Sequence, residues 1–275
     1  MPMPIDELKD KARILRRHIL DMALKAGQIT HPGASLSCCD LVTALYFRVM
    51  RLGDRTNPHA DRDRFILSKG HAAPVIYAAL AELGYFPKNW LPTLRRLGSK
   101  LQGHPDMKKT PGVDMTAGSL GNGLSAGVGM ALYAKIRNWN SQIYVMLGDG
   151  EIQEGLVWEA ALSAPNQKLD NLIAIIDYNH LQSCGSTDAI SQLEPLVDKW
   201  RSFGWHTFEI NGHDMADIVN RLEIAAQYQG RPIAIVAHTV KGKGISFMEN
   251  DNAWHQKTPT QEQYEQAMRE LEVTL

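Results

Sequence analysis

An α/β fold, with a mostly parallel sheet carrying helices on both faces, is predicted by three observations. Short β-rich runs at residues 143–147, 172–177, 205–210 and 233–238 alternate with helical patterns at 156–164, 193–203 and 216–228, the sign of βαβ units. The 275 residues are 44% apolar and 21% charged, ample material for a buried core. No repeat, low-complexity tract or Pro/Ser linker divides the chain, so residues 1–275 are expected to form one domain.

The N-terminal part is expected to be helical. Ile5, Leu8, Ala12, Leu15, Ile19, Met22 and Ala26 recur at spacings of three and four, which predicts an amphipathic helix over 5–26 that Gly27 stops. Residues 40–50 and 72–83 read as two further helices, each with a Gly soon after its end, so the helices within about 5–50 pack on the sheet. Between 118 and 134, small residues at Gly121, Gly123, Ala126, Gly127, Gly129, Ala131 and Ala134 permit close contact, as in a core or intersubunit helix. A Gly-x-Gly-x-x-Gly after a strand is missing there, which argues against a nicotinamide site. A short polar helix is expected over about 259–271.

Charge excludes whole classes of partner. Twenty-nine basic against 30 acidic side chains leave a net charge of −1, so no long-range field draws the chain to nucleic acid or an anionic bilayer. The apolar runs fall far short of the roughly 20 residues of a membrane span, and no signal-peptide pattern opens the chain. Cys38, Cys39 and Cys184 offer no disulfide framework and fit reduced thiols, so a cytoplasmic location is expected.

In an open sheet of this kind, ligands bind outside the carboxyl ends of the strands. The loop after the first clear strand reads Gly148-Asp149-Gly150-Glu151-Ile152-Gln153-Glu154-Gly155, and the loop after the next reads Asp177-Tyr178-Asn179-His180-Leu181. On neighbouring parallel strands, the Asp149 carboxylate and the Asn179 amide oxygen can converge on one hard cation. Magnesium takes oxygen ligands at about 2.1 Å and commonly completes its shell with phosphates and water. Gly148 and Gly150 permit close approach and unusual dihedrals. A helix starting near Glu151 would offer free N–H groups to an anion. A diphosphate held through magnesium satisfies both requirements, whereas the triplet alone is also compatible with a simple tight turn.

These residues resemble the thiamine diphosphate motif, and the whole chain resembles the N-terminal, diphosphate-binding half of a transketolase, a PP-type domain. The matching segments are Thr30-His31-Pro32-Gly33, Phe65 to Ala72 with Ser68-Lys69-Gly70-His71, Gln102-Gly103-His104-Pro105, Thr116 to Gly123, Gly148 to Gly155, and Lys241-Gly242-Lys243-Gly244 followed by Trp254-His255. The resemblance implies that Asp149, Asn179 and the main-chain carbonyl of Leu181 bind Mg2+, or Ca2+ or Mn2+ in its place. It implies that His71, Gly118, Ser119, Leu120, Gly148, Asp149, Gly150, Glu151, Asn179, Lys241 and His255 contact thiamine diphosphate. His31 and His104 are implied to face the donor ketose, making His31, His71, His104 and His255 the catalytic set, while Glu154 and Glu159 are implied to meet their counterparts across a subunit interface. Lys69, Lys243 and Lys257 are further candidates for phosphate, with a solvated lysine as the alternative. His18, His59, His180, His206, His213 and His238 are read as structural or surface residues.

In that family, the Glu that activates the aminopyrimidine and most sugar-phosphate contacts lie in a second α/β domain. The resemblance therefore implies a partner chain, a pyrimidine-binding subunit, with two copies of each chain, acting on sugar phosphates by two-carbon ketol transfer. Alternatives are one chain of a deoxyxylulose-phosphate synthase or an E1-type 2-oxo acid dehydrogenase, and a non-catalytic thiamine diphosphate-binding protein.

Overall fold

One stripe of α1 (Ile5–Lys25), carrying Leu8, Ala12, Leu15, Ile19 and Met22, is buried, and Gly27 ends the helix region at φ +66°. The structure, a computed structural model, describes residues 2–54 and 59–273. Residues 1, 55–58, 274 and 275 of the expected 1–275 domain lie outside the described residues. The helix expected over 40–50 is present as α3 (Cys39–Ala44) running into a π-helical turn, Leu45–Val49, and it is preceded by a short helix not expected from the sequence, α2 (Pro32–Ser37). Met50 is extended directly after that turn, so Gly53 plays no capping part.

The next strand, β1 (Arg64–Leu67), has no counterpart among the expected elements, because four residues are too few for a period to show. It leads through a 3-10 turn, Gly70–Ala72, into α4 (Ala73–Glu82). Gly84 follows at φ +76°, and Tyr85 N–H returns to the Leu80 carbonyl, closing the helix end.

The remaining elements are α5 (Asn122–Ile136), β2 (Ile143–Gly148), α6 (Gly155–Asn166), β3 (Leu172–Tyr178), the ribbon β4 (Leu181–Gln182) with β5 (Gly185–Ser186), and α7 (Thr187–Ile190). Then come α8 (Leu196–Ser202), β6 (His206–Asn211), α9 (Met215–Gln227), β7 (Ile233–His238) and α10 (Gln261–Val273). The expected helix over 193–203 is shorter, starting at Leu196 after an extended Pro195, since the residue before a proline is biased away from helical dihedrals. No helix begins at Glu151: residues Glu151–Gln153 form a 3-10 turn, and α6 starts at Gly155.

Among the described residues, five strands form one parallel sheet in the order β1-β2-β3-β7-β6. Successive residues of each strand point to opposite faces. Tyr144, Met146, Ile173, Ile175, Ile233 and Ile235 join the core with α1, α3, α4 and α9. Ile143, Val145, Leu147, Leu172, Ala174, Ile176 and Val236 join the core with α5, α6 and α8. Both faces are covered, which is why β2, β3 and β7 are apolar along their length. The register Gly148↔Asp177 ends β2 and β3 level, so the loops after them open on one edge. Among the described residues no helix is long and apolar enough to cross a membrane.

The small-residue helix α5 is half core. Leu124, Gly127, Ala131 and Ala134 are buried, whereas Tyr133 and Ile136 stand exposed, as does Leu162 of the adjoining α6. A Cβ at Gly127 would lie 2.6 Å from Val145 Cγ2 and 3.3 Å from Leu172 Cδ1. Gly127→Val is expected to cost about 1–3 kcal/mol through this overlap, outweighing the few tenths of a kcal/mol valine gains over glycine in helix propensity. A urea midpoint equal to that of the wild type would show that α5 does not seat on the sheet here.

Candidate active site

The site is assembled where β2 and β3 end. Asp149, directly after β2, is buried, and its carboxylate accepts the main-chain N–H of Gly150 at 2.7 Å and of Asn179 at 3.0 Å. Asn179 Oδ1 accepts the N–H of Leu181 at 3.2 Å, and the Leu181 carbonyl accepts from Lys241 Nζ at 3.1 Å. The two loops are thus stitched to each other, with Lys241 reaching in from the segment after β7.

One cavity of about 330 Å³ is lined by His71, Leu120, Gly148, Asp149, Gly150, Glu151, Asn179, Leu181, Lys241 and His255, all expected there from the sequence, and by Glu154, expected at a subunit interface instead. His31 joins them through its ring, 5.2 Å from that of His71 and 5.6 Å from that of His255. His104 lies against the opposite loop, where a Cβ on Gly118 would sit 3.8 Å from its ring. Gly118 and Ser119 are exposed on the stretch leading to α5 and do not line the cavity. Glu154 is the exposed residue preceding α6, and Glu159 lies on the outer face of that helix, away from the cavity.

Several expected roles are revised by the contacts. Gly150 has ordinary helical dihedrals, φ −63° and ψ −29°, so it is close approach that requires glycine there: a Cβ would lie 2.8 Å from Gln182 Cβ. At Gly148 a Cβ would meet nothing nearer than 3.5 Å. Glu151 turns its carboxylate to Ser68 Oγ, Gly121 N–H and Gly148 N–H, so the side chain ties three loops together. With α6 starting only at Gly155, the expected helix N-terminus does not follow the triplet, and Lys241 with the imidazoles is left as the complement to an anion. Lys69 also lines the cavity, but it is buried and paired with Asp177, and it donates to the Ala34 carbonyl at 2.8 Å. Lys243 pairs with Glu249, and Lys257 lies over the Trp254 ring, so neither reaches the cavity.

The electrostatics divide the cavity in two. Burial, with Asp177 adding repulsion, pushes the Asp149 carboxyl up to about 6. Its own contacts are main-chain N–H groups, and a cation beside it would relieve the penalty. The donors here are a carboxylate, an amide oxygen and a carbonyl oxygen, the hard set that suits Mg2+, Ca2+ or Mn2+. Among the described residues there is no cluster of three or more His, Cys, Asp or Glu that could hold a metal, so this mixed set leaves the rest of a shell to ligand oxygens and water. The residues therefore fit a metal-bound diphosphate.

On the other side the histidines are held neutral. Burial lowers His31 and His255 to about 4, helped for His31 by Arg95 and for His255 by Lys241. Burial also takes His71 well below the ordinary value and lowers His104, the latter with Arg95. Lys241 itself is lowered by burial to about 8 despite nearby Asp149. Its Nζ lies 3.0 Å from His255 Nδ1. An ammonium can only donate, so Nδ1 accepts and the ring proton of neutral His255 sits on Nε2.

Sequence reasoning overlooked Asp177, Gln182 and Ser183. Asp177 ends an apolar run and is fully buried, a signal visible in the sequence in retrospect. Gln182 and Ser183 line the cavity only because the β4–β5 ribbon folds beside it.

A parallel sheet with a carboxylate, an amide and imidazoles gathered at its carboxyl edge is an arrangement that suits an anionic ligand held with a hard cation. Residues 8–273 match the family model described as "Transketolase, thiamine diphosphate binding domain", and the chain belongs to that family. It is 47% identical over 266 residues to the 6-deoxy-6-sulfo-D-fructose transketolase subunit SqwG of Clostridium sp. (strain MSTE9), covering 97% of this chain and 96% of that one. It is 45% identical to one of the named subunits of the apulose-4-phosphate transketolase of Actinobacillus succinogenes, with the same coverage. Mouse transketolase is 40% identical, matching 97% of this chain but only 42% of its own length. Among solved structures, the transketolase of Campylobacter jejuni superposes with a TM-score of 0.89 at 31% identity, over 98% of this chain and 43% of that one.

The depressed histidines carry a pH consequence. In the unfolded chain each takes up its proton near 6.5, in the folded chain near 4 or at least below the ordinary value. Between those values the unfolded state binds more protons, so stability falls as pH falls. Asp149 and Glu151, both raised, act with the opposite sign, Asp149 over about 6 to 3.8, but they are two groups against three histidines. The urea midpoint of the metal-free chain is expected to be lower at pH 5 than at pH 7, with His31→Asn narrowing the gap. A midpoint that holds level or rises on acidification would contradict the neutral-histidine assignment.

Proposed function

We propose that this chain is the diphosphate-binding subunit of a two-chain transketolase, moving a two-carbon ketol unit from a ketose or ketose phosphate to an aldose or aldose phosphate. The observation that carries this reading is the convergence of Asp149, Asn179 and Leu181 with His71, His255 and Lys241 on one cavity. Support for two chains comes from the relatives: those named as subunits are matched along 96% of their length, and the full-length mouse enzyme along 42%. The described chain acts as one domain in this reading, since both of its cores are built on the same sheet. The assembly, taken to contain two copies of each chain and to reside in the cytoplasm, uses the outer face of α6 with Glu154 and Glu159 as part of its interface.

Asp149, Asn179 and the Leu181 carbonyl would hold Mg2+ or a similar ion, and Lys241, His71 and His255 would face the diphosphate, with Leu120, Gly148 and Gly150 along it. Glu151 shapes this wall through its bonds to Ser68, Gly121 and Gly148. When bound, thiamine diphosphate supplies the nucleophilic carbon and the electron sink for carbon–carbon cleavage. Neutral imidazoles offer one donor and one acceptor each, which matches sugar hydroxyls and lets a proton move at the same nitrogen. His31 and His104 are thereby suited to orient the donor ketose, and His255, with its proton on Nε2, to donate a hydrogen bond from that atom.

Reconstitution tests the reading. Ketol transfer is expected when the chain is combined with a pyrimidine-binding partner and not from the lone polypeptide; substantial turnover without the partner would contradict it. A second expectation concerns the metal wall: in the assembled enzyme, Asp149→Ala should weaken magnesium-dependent thiamine diphosphate binding by more than about tenfold. Calorimetric titration that finds the same magnesium dependence as in the wild type would overturn the ligand assignment.

A further inference from the structure

A buried charge cluster outside the cavity joins three distant segments. Arg16 of α1 grips Asp40 of α3 in a two-pronged pair, Nη1 to Oδ1 at 2.9 Å and Nη2 to Oδ2 at 2.7 Å. Both side chains are nearly inaccessible, at 8% and 10% exposure. His213, just before α9, sets its Nδ1 2.8 Å from Asp40 Oδ2, and its Nε2 accepts the main-chain N–H of Val240 at 2.8 Å. Arg16 Nε donates to the main-chain carbonyl of Lys243 at 3.1 Å.

These contacts have a direction. A main-chain N–H can only donate, so His213 Nε2 is the acceptor and the ring proton of the neutral imidazole is on Nδ1. Asp40 accepts that proton and thereby selects the tautomer that can hold Val240. The cluster ends on Val240 and Lys243, which flank Lys241 on either side. From between them the Lys241 side chain runs to the Leu181 carbonyl, Asn252 Oδ1 and His255 Nδ1, at 3.1, 3.0 and 3.0 Å. None of Arg16, Asp40 and His213 lines the cavity itself.

We propose that Arg16, Asp40 and His213 are positioning residues for Lys241, clamping the main chain at Val240 and Lys243 so that the ammonium is delivered to the metal and diphosphate end of the cavity. The inference rests on the reading of Lys241 as a cofactor-binding residue. A purely structural role would cost stability without any link to Lys241, and that difference is measurable.

The test is a double-mutant cycle on magnesium-dependent thiamine diphosphate affinity, measured by calorimetry on the full chain assembled with its pyrimidine-binding partner. Lys241→Met is expected to weaken binding by about tenfold or more, through loss of a charge-assisted contact. His213→Phe, which leaves the Val240 N–H without its acceptor, is expected to weaken it by roughly five- to tenfold. In the Lys241→Met background, His213→Phe is expected to change affinity by less than about twofold, because its effect passes through a side chain already removed. His213→Gln, whose amide can accept from Val240 and donate to Asp40, is expected to stay within about threefold of the wild type. Should His213→Phe fail to fold, His213→Asn runs the same cycle, its side chain being too short to reach both partners. Equal weakening by the His213 change in both backgrounds, or a loss in His213→Gln as large as in His213→Phe, overturns the inference while leaving Lys241 in its place. Unaltered affinity in Lys241→Met overturns the placement of Lys241 on the cofactor, and the inference with it.

Discussion

The arrangement of the site depends on one buried ion pair, Lys69 with Asp177. Asp177, the last residue but one of β3, has no solvent exposure, and a carboxylate in that position needs a full set of partners. It receives Lys69 from the segment after β1, Ser37 from α2 and Thr239 from the segment after β7. Satisfying a single charge therefore draws four parts of the chain to the carboxyl edge of the sheet. Replacing such a pair by apolar groups often leaves stability intact, whereas removing one partner typically costs about 3–5 kcal/mol. Here the pair's value is positional, since the segments it gathers carry His31, His71 and Lys241.

The pair also sets the electrostatics. Burial works to raise Asp177, and Lys69 more than reverses it, leaving an ionised carboxylate deep under the cavity floor. Asp177 adds to the burial that raises Asp149, while Lys69 and the main-chain N–H groups that Asp149 accepts offset part of it. Opposite it, burial and neighbouring cations strip the protons from His31, His71 and His255. One pocket thus offers a wall that favours a divalent ion and a wall of uncharged donors and acceptors. In the proposed reading the first faces the charged tail of the cofactor and the second the hydroxyls of a sugar.

Much of this was legible beforehand because the informative strings are local. Gly148-Asp149-Gly150 and Asn179 sit at the ends of apolar runs, and parallel pairing of those runs was enough to bring Asp149 toward Asn179. The histidines stand beside Gly or Pro at 31, 71 and 104, in loops rather than on helix faces. Short or tightened elements were harder to read: β1 shows no period in four residues, and the triplet is followed by a 3-10 turn because Glu151 bends back to Gly148. Glu151 accordingly has its carboxylate committed to the protein, and Lys69, which reads as a free cation, is taken up by Asp177.

By itself the sequence determined the parallel α/β class and which oxygen-bearing residues stand at its strand ends, because strand periodicity and strand-end motifs depend on near neighbours. Only the tertiary structure decided which of the charged residues remain available. Lys69 and Lys241 look alike in the chain, but one is neutralised by Asp177 while the other is held out to the cavity by bonds at Val240 and Lys243. His213 reads as an ordinary surface residue until Asp40, 173 positions away, fixes its proton. Burial and pairing are properties of what packs around a group, and those neighbours come from segments that only folding brings together.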